Sequence, residues 1–259
     1  MKAYLNIEQA QEFQTLDFEG LETMKAQPNE AKIRRENWLK QRVGKFTASE
    51  IHRLMTCANK PNELPKGAET YVLEKVVEEL TDTVPESWTS PQMQWGIDNE
   101  PKAIRRFIDE KNLGLKFTGE NQKFVEYGKD AGGTPDGLGF RFGVEVKCPD
   151  SKTHFNYILN IKDAETLKEV KPEYYWQVQS LLLFTRKKFW YFVSFDPRFK
   201  DVEKQFHCVK IEQNEDDILF LQKRLELAEK QKRKMIFDFK DRKEQPQKAT
   251  QHQFSNSLL

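Results

Sequence analysis

Three cysteines in 259 residues, Cys57, Cys148 and Cys208, lie far apart and form no CxxC pair. That argues against a disulfide framework, a cysteine zinc site or an all-cysteine iron–sulfur cluster. No apolar run approaches the roughly 18 residues of a membrane span, and Met1-Lys2-Ala3 opens no signal peptide. No GxxxxGK[ST] loop is present to cradle nucleotide phosphates, which argues against an ATP motor. Neither charge sign dominates: 42 basic and 41 acidic side chains give a net charge of +1. A histone-like polycation is thereby excluded, whereas local patches are not. The expectation is a soluble protein of a reducing compartment, cytoplasmic and away from membranes. Aromatic side chains, by contrast, are plentiful at 12%, with 19 Phe and 5 Trp. Disordered chains are poor in such residues, and the length is ample for one domain with appendages.

Periodicity divides the chain. Residues 1–36 are polar and weakly patterned, with a short helix expected around Ile7–Phe18, and they read as an N-terminal extension. The compact domain spans 37–240, and a polar tail follows over 241–259. Thr47-Ala48-Ser49-Glu50 has the form of a capping box opening a helix through about Cys57. Helices are expected over Ala68–Leu80 and Pro91–Lys111. After Gly114 the period changes, so Lys116–Tyr127 and Phe140–Lys147 read as strands around the turn-rich Gly128–Gly139. In the second strand Phe140, Phe142, Val144 and Val146 share one face, and Arg141, Gly143, Glu145 and Lys147 the other. A helix from Pro172 to about Thr185, strands at Phe189–Phe195 and Gln205–Ile211, and a long helix from Asn214 to about Phe239 complete a three-layer α/β pattern.

Chemistry concentrates in Thr134-Pro135-Asp136-Gly137-Leu138 and Gly143-Val144-Glu145-Val146-Lys147. Asp136 lies at a turn entering a hairpin whose second strand projects Glu145 and Lys147 from one face. Two carboxylates with the Val146 carbonyl suit a hard divalent cation such as Mg²⁺. Lys147 beside it can orient or deprotonate an attacking water and offset charge on phosphorus. Glu100 sits at helical spacing with Ala103, Ile104, Phe107 and Ile108, where a carboxylate is costly unless paired or ligating a metal. Either Gln177 or Gln179 can turn an amide toward such a site. Arg42 with Thr47 and Ser49 forms a second constellation suited to an anion. Blander roles remain open: a surface Glu/Lys hairpin, a rim glutamate, an ordinary cap. His154 reads as structural, Lys230–Lys234 as a solvated helix face and Cys148 as packing.

Taken in order, Trp38-Leu39-Lys40-Gln41-Arg42 through Thr47-Ala48-Ser49-Glu50, Trp95-Gly96-Ile97-Asp98-Asn99-Glu100, Pro135-Asp136-Gly137-Leu138, Glu145-Val146-Lys147-Cys148-Pro149, Gln177-Val178-Gln179, Trp190-Tyr191-Phe192 and Asp196-Pro197-Arg198 resemble the motifs of the phage lambda exonuclease / YqaJ-type viral recombinase nucleases. The resemblance runs from about Trp38 to Arg198. It implies a restriction-endonuclease-like PD-(D/E)xK core, a mixed central sheet flanked by helices. It also implies a Mg²⁺-dependent 5′→3′ exonuclease on linear double-stranded DNA, with two metal ions and Mn²⁺ as a substitute. Asp136, Glu145 and the Val146 carbonyl would hold metal, with Glu100 at a second ion. Lys147 would be the catalytic lysine and Gln177 would help position the nucleophile. Arg42 and Ser49 would bind the 5′-phosphate, with Thr134, where lambda exonuclease has a serine, in the same pocket. Implied partners are DNA ends, a single-strand annealing protein and two further copies in a homotrimer ring, inside a bacterial host cell if the gene is a phage's. The alternatives are an endonuclease on the same core and a catalytically inactive DNA-binding module.

Overall fold

The computed structural model describes residues 28–84 and 90–242. The helix expected at Ile7–Phe18 and the tail beyond 242 lie outside the described residues. Helix α1 (Pro28–Arg42) leads through a turn at Gly44 into β1 (Phe46–Thr47) and a 3-10 segment, Ala48–Leu54. α2 (Lys66–Thr81) and α3 (Pro91–Lys111) follow, then β2 (Val125–Tyr127), β3 (Ala131–Gly133), β4 (Gly137–Leu138) and β5 (Phe142–Lys147). α4 (Ser151–Asn160), α5 (Ala164–Val170) and α6 (Pro172–Thr185) precede β6 (Phe189–Phe195), β7 (Phe206–Glu212) and α7 (Glu215–Asp241).

Two sheets result. A small one has the order β1-β3-β2, and a four-stranded one has the order β4-β5-β6-β7. β5 and β6 run parallel while the outer pairs are antiparallel, so the larger sheet is mixed. One face of β5 and β6 packs Phe142, Val144, Val146, Val193 and Phe195 against Ala103, Ile104 and Phe107 of α3. The opposite face packs Trp190 and Phe192 in a larger core with Tyr157, Leu181 and Leu182 from α4 and α6. Helix, sheet, helix: the three-layer α/β reading holds. The β5 alternation also holds from Phe142 onward. At Gly143 a side chain is excluded, because a Cβ would stand 2.2 Å from the Trp190 ring. Phe140, expected in the strand, lies outside it and is 71% exposed.

The departures have local causes. Lys116–Tyr127 is not a strand: Phe117 and Gly119 have positive φ, which breaks the extended run. Only an isolated Lys116–Leu138 bridge and β2 pair. The segment after Thr47 is 3-10 and stops at Leu54, and the Thr47 hydroxyl makes no cap bond. Thr47 belongs to β1 and its hydroxyl accepts from Arg42 instead. α1 begins at Pro28, within the stretch that looked unpatterned. α4 and α5 were unforeseen; each starts at an aspartate, Asp150 or Asp163, whose side chain accepts a backbone N–H three residues on. Asn214 caps α7 as expected. No helix among the described residues is long and apolar enough to cross a membrane.

Candidate active site

The parallel β5–β6 pair buries the middle of β5 on both faces, and this carries Glu145 to a position only 1% exposed. Its Oε1 accepts from Lys147 Nζ at 2.6 Å and from Gln177 Nε2 at 2.6 Å. Lys147 Nζ also lies 4.9 Å from the Tyr174 ring centroid. Asp136, between β3 and β4, accepts the Val146 N–H at 2.7 Å through Oδ2. Glu100 reaches the same place from α3, its Oε1 accepting from Gln122 Nε2 at 2.8 Å. Gln177 is therefore the inward amide. Gln179 instead bridges β7 to α7: its Nε2 donates to the Glu212 carbonyl and its Oε1 accepts from Asn214 N.

Arg42, Ser49 and Thr134 border the same cleft, of about 640 Å³, as Glu100, Asp136, Glu145, Val146, Lys147 and Gln177. The Arg42 guanidinium stacks at 4.2 Å on Trp38, whose indole N–H donates to Thr134 Oγ1 at 3.1 Å. It donates only to hydroxyls, Thr47 Oγ1 at 3.4 Å and Ser49 Oγ at 3.3 Å, and pairs with no described carboxylate. A cation engaged by neutral groups alone is ready for an anion. Burial holds the Arg42 pKa below its ordinary value, with Tyr71, Glu50 and Glu78 opposing that effect.

Among the described residues, no three His, Cys, Asp or Glu side chains stand together as a ready metal cage. Glu145 is turned to its lysine and amide, and Asp136 to a backbone N–H. The donor chemistry nonetheless fits a hard divalent cation. Three carboxylates face one ammonium, and the buried Glu145 Oε2 has no hydrogen-bond partner. Burial first, then the charge of Asp136, pushes both Glu100 and Glu145 up to about 8. Burial likewise raises Asp136, against the pull of Lys147 and the Val146 N–H. For Lys147 burial acts downward, yet Glu145 and Asp136 outweigh it, so its pKa is raised and it stays an ammonium.

Sequence reasoning assigned no role to three neighbours. Trp38 holds Arg42 and Thr134. Tyr174 faces Lys147, and Gln122 binds Glu100 from a segment misread as strand. The helical spacing of Tyr174 and Gln177 was a usable signal; nothing local marks Gln122. His154 is structural, as expected: fully buried, with Nδ1 2.7 Å from Ser194 Oγ and Nε2 2.8 Å from the Lys204 carbonyl. Cys148 lines the cleft half-buried, and burial followed by the acids around it pushes its thiol up to about 12. Lys232, within Lys230–Lys234, is not solvated but 2% exposed.

No curated protein matches the chain. Among solved structures, the alkaline exonuclease LHK-Exo from Laribacter hongkongensis is 28% identical, with a TM-score of 0.69 over 80% of this chain and 97% of that one. The same enzyme in complex with dAMP gives the same figures. A phage-related exonuclease from Haemophilus somnus 129PT, 17% identical, shares the fold with a TM-score of 0.59 over 75% of this chain and 96% of that one. Residues 37–188 match the YqaJ-like viral recombinase domain. That match spans more than half of the sequence, and the chain belongs to the YqaJ-like viral recombinase family.

Proposed function

We propose that the protein is a metal-dependent exonuclease that degrades one strand of linear double-stranded DNA from its 5′ end. It releases 5′-mononucleotides and leaves a 3′ single strand. The observation that carries this reading is the sharing of one cleft by the Arg42–Ser49–Thr134 corner and the carboxylate–lysine cluster. A terminal-phosphate corner beside hydrolytic groups serves an enzyme that starts at ends; an endonuclease has no use for it. The likeness to structures of exonucleases supports the same choice.

Asp136, Glu145, Glu100 and the Val146 carbonyl would hold Mg²⁺, one ion or two, with Mn²⁺ as a substitute. Bound there, the cation supplies Lewis acidity to the phosphodiester and lowers the pKa of the attacking water. Lys147, beside Glu145 at 2.6 Å, would contribute positive charge near the pentavalent phosphorus and orient the attacking water. Gln177 fixes the Glu145 carboxylate through its amide and leaves Oε2 free for the site. Arg42 offers two N–H groups to the terminal phosphate, with Ser49 and Thr134 adding hydroxyls. On the family's pattern, the 3′ strand passes to a single-strand annealing protein and the enzyme encircles DNA as a homotrimer.

The test is incubation with Mg²⁺ and linear duplex labelled separately at the 5′ and 3′ ends, beside closed circular DNA. Early release of 5′ label as mononucleotide with circles untouched is the expected result. Cutting of circles would favour an endonuclease, and DNA binding without cleavage an inactive module.

A further inference from the structure

Helix α3 carries Glu100, with a proline directly after that residue. Pro101 stands inside it and supplies no N–H to the Ile97 carbonyl, so the helix ladder is broken beside Glu100. The residues that anchor α3 to the sheet, Ala103, Ile104 and Phe107, all follow that proline. Before it Met93 is 49% and Ile97 59% exposed, and Asn99 is the one buried side chain. Asn99 bonds back to the Trp95 carbonyl in its own helix and to Lys102 one turn on. Gln122 holds the Glu100 carboxylate itself, and a second tie of the part of α3 before Pro101 runs through Trp95.

Arg198 lies with its guanidinium carbon 4.2 Å from the centroid of the Trp95 ring. Its fork is set by Asp196: Nε to Oδ1 is 2.7 Å and Nη2 to Oδ2 is 2.9 Å, with the carboxylate fully buried. Nη2 also donates to the Pro149 carbonyl at 3.2 Å. Pro149 is two residues beyond Lys147, and Asp196 directly follows β6. The guanidinium meets the face of the Trp95 ring, whose indole N–H has no partner among the described residues.

We propose that Arg198 is a positioning residue: stacked on Trp95 and braced by Asp196 and Pro149, it latches the leading half of α3, and with it Glu100, to the end of the strand that carries Glu145 and Lys147. This rests on the reading of Glu100 as a metal-holding carboxylate of a nuclease. Without the latch, the leading half pivots at Pro101 and Glu100 leaves its place opposite Asp136, while the sheet and the second half of α3 remain packed.

The experiment compares wild type, Arg198→Ala, Trp95→Ala, Trp95→Phe and Glu100→Gln by two readouts. One is the rise in melting temperature on adding Mn²⁺, which needs no turnover. The other is steady-state release of nucleotide from linear duplex DNA. Trp95→Ala is expected to keep a near-normal metal-free melting temperature, whereas Arg198→Ala leaves the buried Asp196 without its guanidinium and should lower it. Both should lose most of the Mn²⁺-induced rise, as Glu100→Gln does. Both should lower kcat about 10- to 100-fold with little change in KM, the scale of a misplaced group. Trp95→Phe keeps a ring face and should restore most of both. A full Mn²⁺ response and normal kcat in Arg198→Ala would overturn the proposal. So would a wild type insensitive to Mn²⁺, or a loss in Trp95→Ala that Trp95→Phe shares in full. If wild type responds to Mn²⁺ but releases no nucleotide, the exonuclease reading fails while the Mn²⁺ comparison still decides the latch.

Discussion

Lys232 and Lys147 each stand among acids, and they are satisfied to different degrees. Lys232 of α7 donates to the Gly44 carbonyl at 2.6 Å and to Asp130 Oδ1 at 2.7 Å, and pairs with Glu79 Oε2 at 2.6 Å. It ties the C-terminal helix to the turn that leads into β1, and nothing there asks for a ligand. Lys147 meets one carboxylate oxygen, while the second oxygen of Glu145 has no partner and Asp136 and Glu100 add further negative charge. A closed set of partners holds a fold together; an open set with surplus charge waits for a cation. The same residue type, with its side chain 2% exposed at Lys232 and 23% exposed at Lys147, closes a structural set of partners in one place and leaves one open in the other.

The sharpest way to break that contrast is to remove each ammonium in turn. Lys147→Ala is expected to cut hydrolysis by about 10²–10⁴-fold, the usual range for a lost catalytic group, while duplex binding measured by fluorescence anisotropy persists. Turnover at the wild-type rate would strip Lys147 of its role. Lys232→Ala should leave activity per folded molecule intact and lower unfolding free energy by about 3–5 kcal/mol, because Asp130 and the Gly44 carbonyl are left buried without their partner. Denaturant titration measures this, and Lys232→Met should recover part of the loss by packing.

A second contrast appears with pH in EDTA. Glu145 titrates near 8 in the metal-free fold against an ordinary value of 4.5, because burial and Asp136 disfavour its charge. The fold therefore keeps a proton that the unfolded chain has given up. That contribution to stability is complete below about pH 4.5 and is lost as pH rises through 8. The metal-free melting temperature should fall over this window, Mg²⁺ should flatten the fall, and Glu145→Gln should reduce it while abolishing cleavage. A melting temperature that rises with pH in EDTA would contradict the surplus of negative charge. Arg42→Ala is expected to slow cleavage of 5′-phosphorylated ends by about 10- to 100-fold, as for a lost charge-assisted bond. Ends bearing a 5′-hydroxyl should be affected much less, and equal loss on both ends would remove the phosphate corner.

The open site was far easier to read from sequence than the closed one. Asp136, Glu145 and Lys147 announce themselves through turn chemistry and a two-residue alternation, both local signals that survive without coordinates. Glu100 was visible as a carboxylate on a helical face otherwise apolar, whereas the sequence left Gln177 and Gln179 equally eligible until their partners were seen. Lys232 was misread because a lysine amid Lys230–Lys234 looks solvated; its partners lie more than 100 residues away, and no local pattern encodes them. Long-range satisfaction likewise hid Gln122 and the Arg198–Trp95 contact. The 3-10 segment after Thr47 was mistaken for a capped α-helix because the capping box is read from four residues. Arg42, from the preceding helix, competes for that hydroxyl.

Gly96 offers the smallest expected effect and the finest division between the two kinds of site. Gln92, Gly96 and Glu100 lie at four-residue steps on α3, and all three line the cleft. Beyond its own helix backbone and chain neighbours, a Cβ at Gly96 would meet no atom of the described residues within 4 Å. Internal packing therefore does not demand the glycine, although a glycine in a helix interior is less favourable than alanine by about 1 kcal/mol. A residue tolerated against the interest of the fold, at the middle of a stripe ending in Glu100, keeps backbone close to whatever enters. Gly96→Ala should thus raise unfolding free energy by about 0.5–1 kcal/mol while slowing nucleotide release several-fold, and Gly96→Leu should slow it further. Thermal melts and label release on the same preparations separate the outcomes. A gain in both stability and rate would mean that the cleft wall at Gly96 never touches substrate; a loss of stability would mean that the helix itself requires the glycine. The opposed signs expected here are the mark of a position shaped for a ligand, as the surplus carboxylates around Lys147 are and the closed partners of Lys232 are not.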